Sequence, residues 1–504
     1  MSKRKILLNS SVGLLSQFIT LILGFVVPRI VMKNYGSDTN GLVSTITQIF
    51  TYIALLESGI NQSAKNMLYK PLSDNDEKGI SFWMSIAQRY YRRISWIYLL
   101  CVCAMGLFLP FILKTNVSFL TVFTYIIFEG LTAVISFYYI NTWTCFLQAR
   151  GDGYVISIIE LITKIFSYSI RIVLVLYGMN IALIQIGYFC VSLLKLLLYR
   201  LYIRKKFSWV NLNIAPSTTK LPDRNSYILT EITWTIFSST DMIVLGVFLS
   251  TVYSSVYSTY NMVFVALTSL LSSVYNSLTY NLGLVFNEDK RKYISLHDAF
   301  DSLFLGTMSI LMSTTYIMIL PFIRLYTKGI TDVEYVNHIL PLLFCLIQMM
   351  SWTRYTSGQL SGIAGYAKIT SRFSLLEAIC NLVLSVIFVK YWGISGVLLA
   401  TVISLPIKVV FLIVLANKTI MKRSCWKSLR IYFVNYILFL GAIIVEKIFV
   451  FDVQNYIDFI GYAVLSFAFF SICGIVLNFV ANKDVFTIVK NIKGGKRNAK
   501  CQIK

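Results

Sequence analysis

Four polar residues interrupt an apolar stretch at helical spacing: Glu160, Lys164, Ser167 and Arg171. Positions i, i+4, i+7 and i+11 share one face of an α-helix. Two cations on one buried face suit an anion such as a phosphate, which guanidinium grips as a fork and ammonium attracts as a point charge. Glu160 and Lys164, four residues apart, can pair along the helix. Arg171 has no acid three or four residues away, so its counter-charge comes from another element or from a ligand. The competing use of the same residues is a structural ion-pair network between helices.

Further charges sit in apolar segments. Lys195 and Lys408 lie 213 positions apart in segments that otherwise resemble each other. Near-equivalent cations are what two halves closing on one anion would supply; snorkelling to the interface is the alternative. Arg354 stands between Trp352 and Tyr355, where a cation–π contact competes with a ligand role. Arg29 follows Pro28, and 212 positions on stands Asp241, a pairing that could close the outer side of a cavity. Glu57, Glu129, Glu231, Glu377 and Glu446 are the other candidate acids in or beside apolar segments. Each is a gating, proton-coupling or structural candidate. An ionised group at a bilayer centre costs roughly 2.5–3.5 kcal/mol on insertion scales, so these charges need a wet cavity, partners or an interface.

The elements that position them are transmembrane helices. The chain has 504 residues, 57% apolar and 13% charged, about half the charge of a soluble protein. Its apolar runs reach the roughly 20 residues that a helix needs to cross the hydrocarbon core. Fourteen spans fit: 8–32, 41–61, 94–113, 118–147, 154–177, 180–199, 226–249, 253–284, 301–323, 337–359, 369–389, 395–416, 431–449 and 456–480. With both termini cytoplasmic, Lys and Arg divide 33 to 6 in favour of the cytoplasmic loops, as the positive-inside rule requires. The net charge of +23 therefore reads as orientation, not nucleic-acid binding.

Leu109-Pro110-Phe111-Ile112 recurs 211 positions later as Leu320-Pro321-Phe322-Ile323. Gly153-Tyr154 and Ser192-Leu193 recur 212 positions on as Gly365-Tyr366 and Ser404-Leu405. A constant offset over separated landmarks indicates a duplicated half. Six spans per half give both the same orientation, so the relating axis runs along the membrane normal. The expected fold is an all-α polytopic membrane protein with two parallel six-helix repeats and two extra C-terminal helices. The parts are a six-helix bundle over 1–206, a basic cytoplasmic linker over 207–225, a second bundle over 226–423, accessory helices over 424–482 and a basic cytoplasmic tail over 483–504.

Other chemistries lack residues. The nine cysteines are scattered, and two histidines, His297 and His338, do not make a metal site. Neither a P-loop nor a GxSxG or HExxH motif occurs, so no catalytic residue, metal or cofactor is assigned. A coupling ion, H+ or Na+, is left open. An intramembrane glycosyltransferase would need a larger extramembrane loop or an acid–base cluster. Tyr138, Tyr139, Trp143, Tyr257 and Tyr260 are candidates for sugar stacking, with packing as the alternative.

The stretch from Asn9 to Leu68 carries Arg29, Tyr35-Gly36, Gly41-Leu42, Glu57-x-Gly59-Ile60 and Lys65, and Asp241 to Gly246 reads DMIVLG. This pattern resembles the Wzx-like polysaccharide and O-antigen flippases of the multidrug/oligosaccharidyl-lipid/polysaccharide (MOP) exporter superfamily. Span number, duplication and length carry the resemblance over nearly the whole chain. It implies alternating-access export of an undecaprenyl-diphosphate-linked oligosaccharide across a bacterial cytoplasmic membrane, beside other polysaccharide-assembly proteins. It also implies a first-helix cavity arginine, here Arg29. Lipid II flippases of the superfamily commonly carry Asp after that arginine, where this chain has Ile30; its drug antiporters often carry a first-helix acid, which this span lacks. Export of lipid II, or ion-coupled antiport of small amphiphilic or cationic drugs, is the alternative.

Overall fold

The structure, a computed structural model, describes residues 3–55, 57, 60–214, 240–449 and 451–482. Glu231, the first part of the expected span 226–249, most of the expected linker and the basic tail lie outside the described residues. Every regular element among the described residues is helical, and eight of the helices are long and apolar enough to cross a membrane. The protein is a multi-pass membrane protein. It divides into two compact units, Met1–Ser255 and Val256–Lys504.

In the first unit, α1 (Lys3–Ala54) runs through two expected spans and breaks at Gly36, where φ 83° and ψ 170° leave the helical region. Only glycine takes that conformation without strain. The helices α2 (Ile60–Ser73), α3 (Glu77–Ile112), α4 (Phe119–Ile135), α5 (Asn141–Arg150), α6 (Gly153–Leu176) and α7 (Ile181–Lys206) follow. A π turn, Ser136–Ile140, joins α4 to α5. The next helix, α8, is described over 240–248, and α9 (Thr251–Glu288) crosses the boundary between the units.

Local signals fix the start of α6. Gly151 closes α5 in the left-handed region at φ 79°. Asn9 of α1 then bridges the turn: its amide donates to Gly151 O (3.1 Å) and its Oδ1 accepts from Tyr154 N (2.5 Å). At the other end Gly178, also left-handed, turns the chain, and Asn180 caps α7 by accepting from Ala182 N (2.9 Å). The α6–α7 hairpin packs against α1 through α6 and against α4 through α7.

The second arm of α1 runs antiparallel to α8. Asp38 accepts from Thr251 Oγ1, Thr45 lies against Gly246, and Tyr52 shares a 2.5 Å hydrogen bond with Thr240. Gly41 permits the closest approach, since a Cβ there would overlap the Thr251 carbonyl. Gly41→Ala is therefore expected to cost about 1–3 kcal/mol by forcing backbone apart. Thermal unfolding in detergent checks this; an unchanged midpoint would mean the two segments separate freely.

The second unit holds most of α9, then α10 (Lys290–Tyr326), α11 (Leu340–Thr353), α12 (Tyr355–Ile363), α13 (Ala367–Val414), a second π turn (Leu415–Ile420), α14 (Trp426–Ile448) and α15 (Tyr456–Ala481). Like α1, α13 joins two expected spans and breaks at a glycine, Gly393 (φ 58°, ψ −131°). Gly365, left-handed at φ 84°, precedes it. The helices α14 and α15 pack on α10, tied to each other by reciprocal Asn435–Asn478 side-chain hydrogen bonds of 3.0 Å. The eight described cysteines are all free.

Candidate functional site

Within the first unit, α1, α4, α6 and α7 line a cavity of about 440 Å³. Three helices send polar stripes into it at helical spacing. From α6 come Glu160, Lys164, Ser167 and Arg171; from α4 Tyr125, Glu129 and Thr132, followed by Ser136 of the π turn; from α7 Tyr188, Ser192 and Lys195. The second arm of α1 adds Val43 and Thr47. Ser136 opens the π turn that interrupts the helix beside the cavity, a feature often found at functional sites.

Neutral acceptors hold the α6 cations. Lys164 Nζ donates to Thr20 Oγ1 on the first arm of α1 (3.1 Å). Arg171 Nη2 donates to Gln185 Oε1 on α7 (3.4 Å), and its guanidinium lies over the Tyr188 ring, 5.1 Å from the centroid. Gln185, fully buried, turns its amide nitrogen to Glu129 Oε2 on α4 (2.5 Å). The expected Glu160–Lys164 pair does not form. Glu160 instead faces Lys195 across the α6–α7 interface at 3.8 Å, because the hairpin brings α7 to that side while Thr20 takes the Lys164 ammonium. The cavity thus holds three cations and two carboxylates, with one long ion pair among them.

A second cluster lies in the other unit. Arg354 occupies the break between α11 and α12, and its guanidinium pairs with Glu377 on the first arm of α13, both buried. Lys408, on the second arm, is within electrostatic reach of both. Trp352 and Tyr355 stack on each other at 4.6 Å.

The remaining candidates stand apart from these clusters. Arg29 lies on the first arm of α1, ahead of the Gly36 break. Asp241 is buried at the described start of α8, next to the Thr240–Tyr52 bond. Glu57 accepts a hydrogen bond from Asn141 of α5, and Glu446 lies near the end of α14. Among the proposed sugar stackers, Tyr138 packs under Arg92, Trp143 against Phe146, and Tyr257 and Tyr260 against Phe344. Tyr125, Tyr168 and Tyr188 face the cavity instead. Their signal was available: Tyr125, Glu129 and Thr132, like Tyr188, Ser192 and Lys195, repeat the three-to-four spacing of α6. No group of three or more metal-ligating side chains occurs among the described residues.

No protein-family model matches the sequence, and no curated protein matches it. Solved structures do match. The lipid II flippase MurJ, in an inward closed conformation, superposes with a TM-score of 0.66 at 16% identity, over 92% of this chain and 98% of that one. An inward-facing multidrug resistance MATE family transporter of the MOP superfamily gives 0.60 at 12% identity, over 84% and 95%. A MOP superfamily transporter from Pyrococcus furiosus gives 0.54 at 13% identity, over 84% and 100%. The chain therefore has the fold that these MOP-superfamily transporters share.

Proposed function

We propose that the protein is a flippase that moves an undecaprenyl-diphosphate-linked oligosaccharide from the cytoplasmic to the outer leaflet of a bacterial cytoplasmic membrane by alternating access, for surface-polysaccharide assembly. One observation carries this reading. Lys164 and Arg171 line a cavity where their hydrogen-bond partners are a hydroxyl and an amide, not carboxylates. Cations placed in a membrane helix at such cost and left with neutral partners are poised for an anionic ligand. A diphosphate supplies acceptor oxygens for a guanidinium fork, and the tyrosines and hydroxyls around it suit a sugar.

In this reading Lys164, Arg171 and Lys195 hold the diphosphate, while Arg29, Arg354 and Lys408 serve it at other stages of the cycle. Glu57, Glu129, Glu160, Asp241 and Glu377 serve gating or coupling. Both termini are cytoplasmic. The two carboxylates of the cavity favour a second reading, antiport of small cationic drugs, because they would attract a cation.

Deleting the gene in its host and assaying the leaflet distribution of undecaprenyl-diphosphate oligosaccharides separates the two. The flippase reading predicts complete repeat units on the cytoplasmic leaflet, cleared by the wild-type chain. Unchanged lipid-linked glycans with altered sensitivity to cationic drugs would establish the antiporter. Accumulation of lipid II alone would identify that lipid as the cargo.

A further inference from the structure

The next inference rests on the anion reading of the α6 cavity and adds the ion that binds with the anion. We propose that Glu129 takes up a proton when an anion enters the cavity, so that a phosphate-bearing ligand and a proton bind together.

The geometry is a relay of three side chains from three helices. Arg171 of α6 donates to Gln185 of α7, and Gln185 donates to Glu129 of α4. The glutamine is fully buried, so its amide is fixed with the oxygen toward the cation and the nitrogen toward the carboxylate. It acts as a spacer. Glu129 forms no ion pair among the described residues, and the Gln185 amide is the side chain that links it to the Arg171 guanidinium. Across that amide the guanidinium offsets the carboxylate charge.

An anion that docks on Arg171 takes over this compensation and brings its own negative charge to the far side of the same glutamine. Two like charges separated by one side chain do not both persist when one can be neutralised by a proton. Glu129 lines the cavity, so a proton reaches it by the opening through which the anion enters. The groups around it identify it as the acceptor. Tyr98 faces it from α3, and Tyr125 from its own helix. From α6 come Arg171 and Tyr168, with Lys164 and Glu160 further along the cavity; from α7 come Tyr188 and Lys195. The arm of α1 contributes only Val43 and Thr47, which do not ionise. Tyrosines stay neutral near pH 7, and Glu160 already faces Lys195. Glu129 is the carboxylate left to change state.

The test is calorimetric titration of the purified full-length chain with citronellyl-diphospho-N-acetylglucosamine, whose disubstituted diphosphate has no group titrating near neutral pH. Running it in two buffers of different ionisation enthalpy counts the protons exchanged. Wild type is expected to take up close to one proton per ligand. Over the range where Glu129 is charged when empty and neutral when loaded, affinity falls about tenfold per pH unit. Glu129→Gln is expected to bind with no proton uptake and no such slope. Tight binding by wild type without proton uptake would overturn the linkage and leave the anion site standing. Uptake that persists in Glu129→Gln would overturn its assignment to Glu129. No binding by wild type would overturn the anion reading, and the linkage with it.

Discussion

Arg171→Ala is expected to weaken binding of a diphosphate-linked sugar about 100-fold or more, and to stop export, while the chain still inserts and folds. Truncating one partner of a buried, hydrogen-bonded charge pair typically costs about 2–5 kcal/mol, and each 1.4 kcal/mol is tenfold. Arg171 donates to a neutral glutamine at 3.4 Å and lies over the Tyr188 ring, so its removal leaves no carboxylate without a direct hydrogen-bond partner. The loss therefore falls on the ligand and not on the fold. Arg171→Lys keeps the charge but loses the fork, for an expected loss of about tenfold. Lys164→Ala removes a point charge held by Thr20 and is expected to impair binding less than Arg171→Ala. Equilibrium binding beside thermal unfolding checks the split. If Arg171→Ala and Lys164→Ala both bind and export normally, the α6 stripe is structural.

The opposite split is expected at Asp298. This residue of α10 is fully buried and accepts two hydrogen bonds from Arg423, at 2.7 and 2.5 Å, with Lys427 at 3.3 Å. His297, also fully buried, lies 3.5 Å from Asp298 and 3.7 Å from Asp301, and Tyr432 donates to Asp301 at 3.0 Å. The cluster fastens the turn after the second π segment to the start of α10. Asp298→Asn leaves the Arg423 guanidinium without its carboxylate, which for a buried pair costs about 3–5 kcal/mol. A large fall in unfolding temperature in detergent is the expected readout, with ligand affinity in the α6 cavity unchanged. Lys427→Ala is the control. Its side chain is 46% exposed, so solvent screens the pair and about 0–1 kcal/mol is expected. Equal effects of the two substitutions would contradict the assignment of the pair to Arg423.

These two sites differ in how far the sequence showed them. The α6 stripe was legible because helical spacing is local: four residues on one face need no knowledge of neighbouring helices. The membrane class and the helical architecture were legible for the same reason, from run length and charge bias. The partners were not. Thr20 and Gln185 meet Lys164 and Arg171 only through packing of α6 on α1 and α7, and nothing in a single sequence encodes which hydroxyl or amide will arrive. Glu160 shows the limit clearly. Its i+4 neighbour was the local choice, yet it faces Lys195 because the hairpin placed a second cation there. The Asp298 cluster was hidden differently. Residues 290–300 are polar enough to read as a loop, but Asp289 caps a helix that begins at Lys290, so Asp298 is buried on a helix and meets Arg423 125 residues away.

The glycines carried more than their spacing suggested. Gly36 and Gly393 each break a helix that hydropathy divides into two spans, and Gly151 and Gly365 each close a helix in the left-handed region. Gly153-Tyr154 and Gly365-Tyr366 were read as landmarks of a repeat; in the structure both mark the entry to the helix that carries a charged cluster, Lys164 and Arg171 on α6 and Glu377 on α13.

The measurement that bears most directly on the anion site is translocation in proteoliposomes of defined composition. A fluorescent short-chain polyprenyl-diphosphate oligosaccharide is placed in both leaflets, and its exposure to a membrane-impermeant quencher is followed with wild type and with Arg171→Ala. Wild type is predicted to move the labelled lipid between leaflets, and Arg171→Ala to leave it where it was placed. Equal translocation by both, or transport of a lipophilic cation in place of the diphosphate by wild type, would contradict the account.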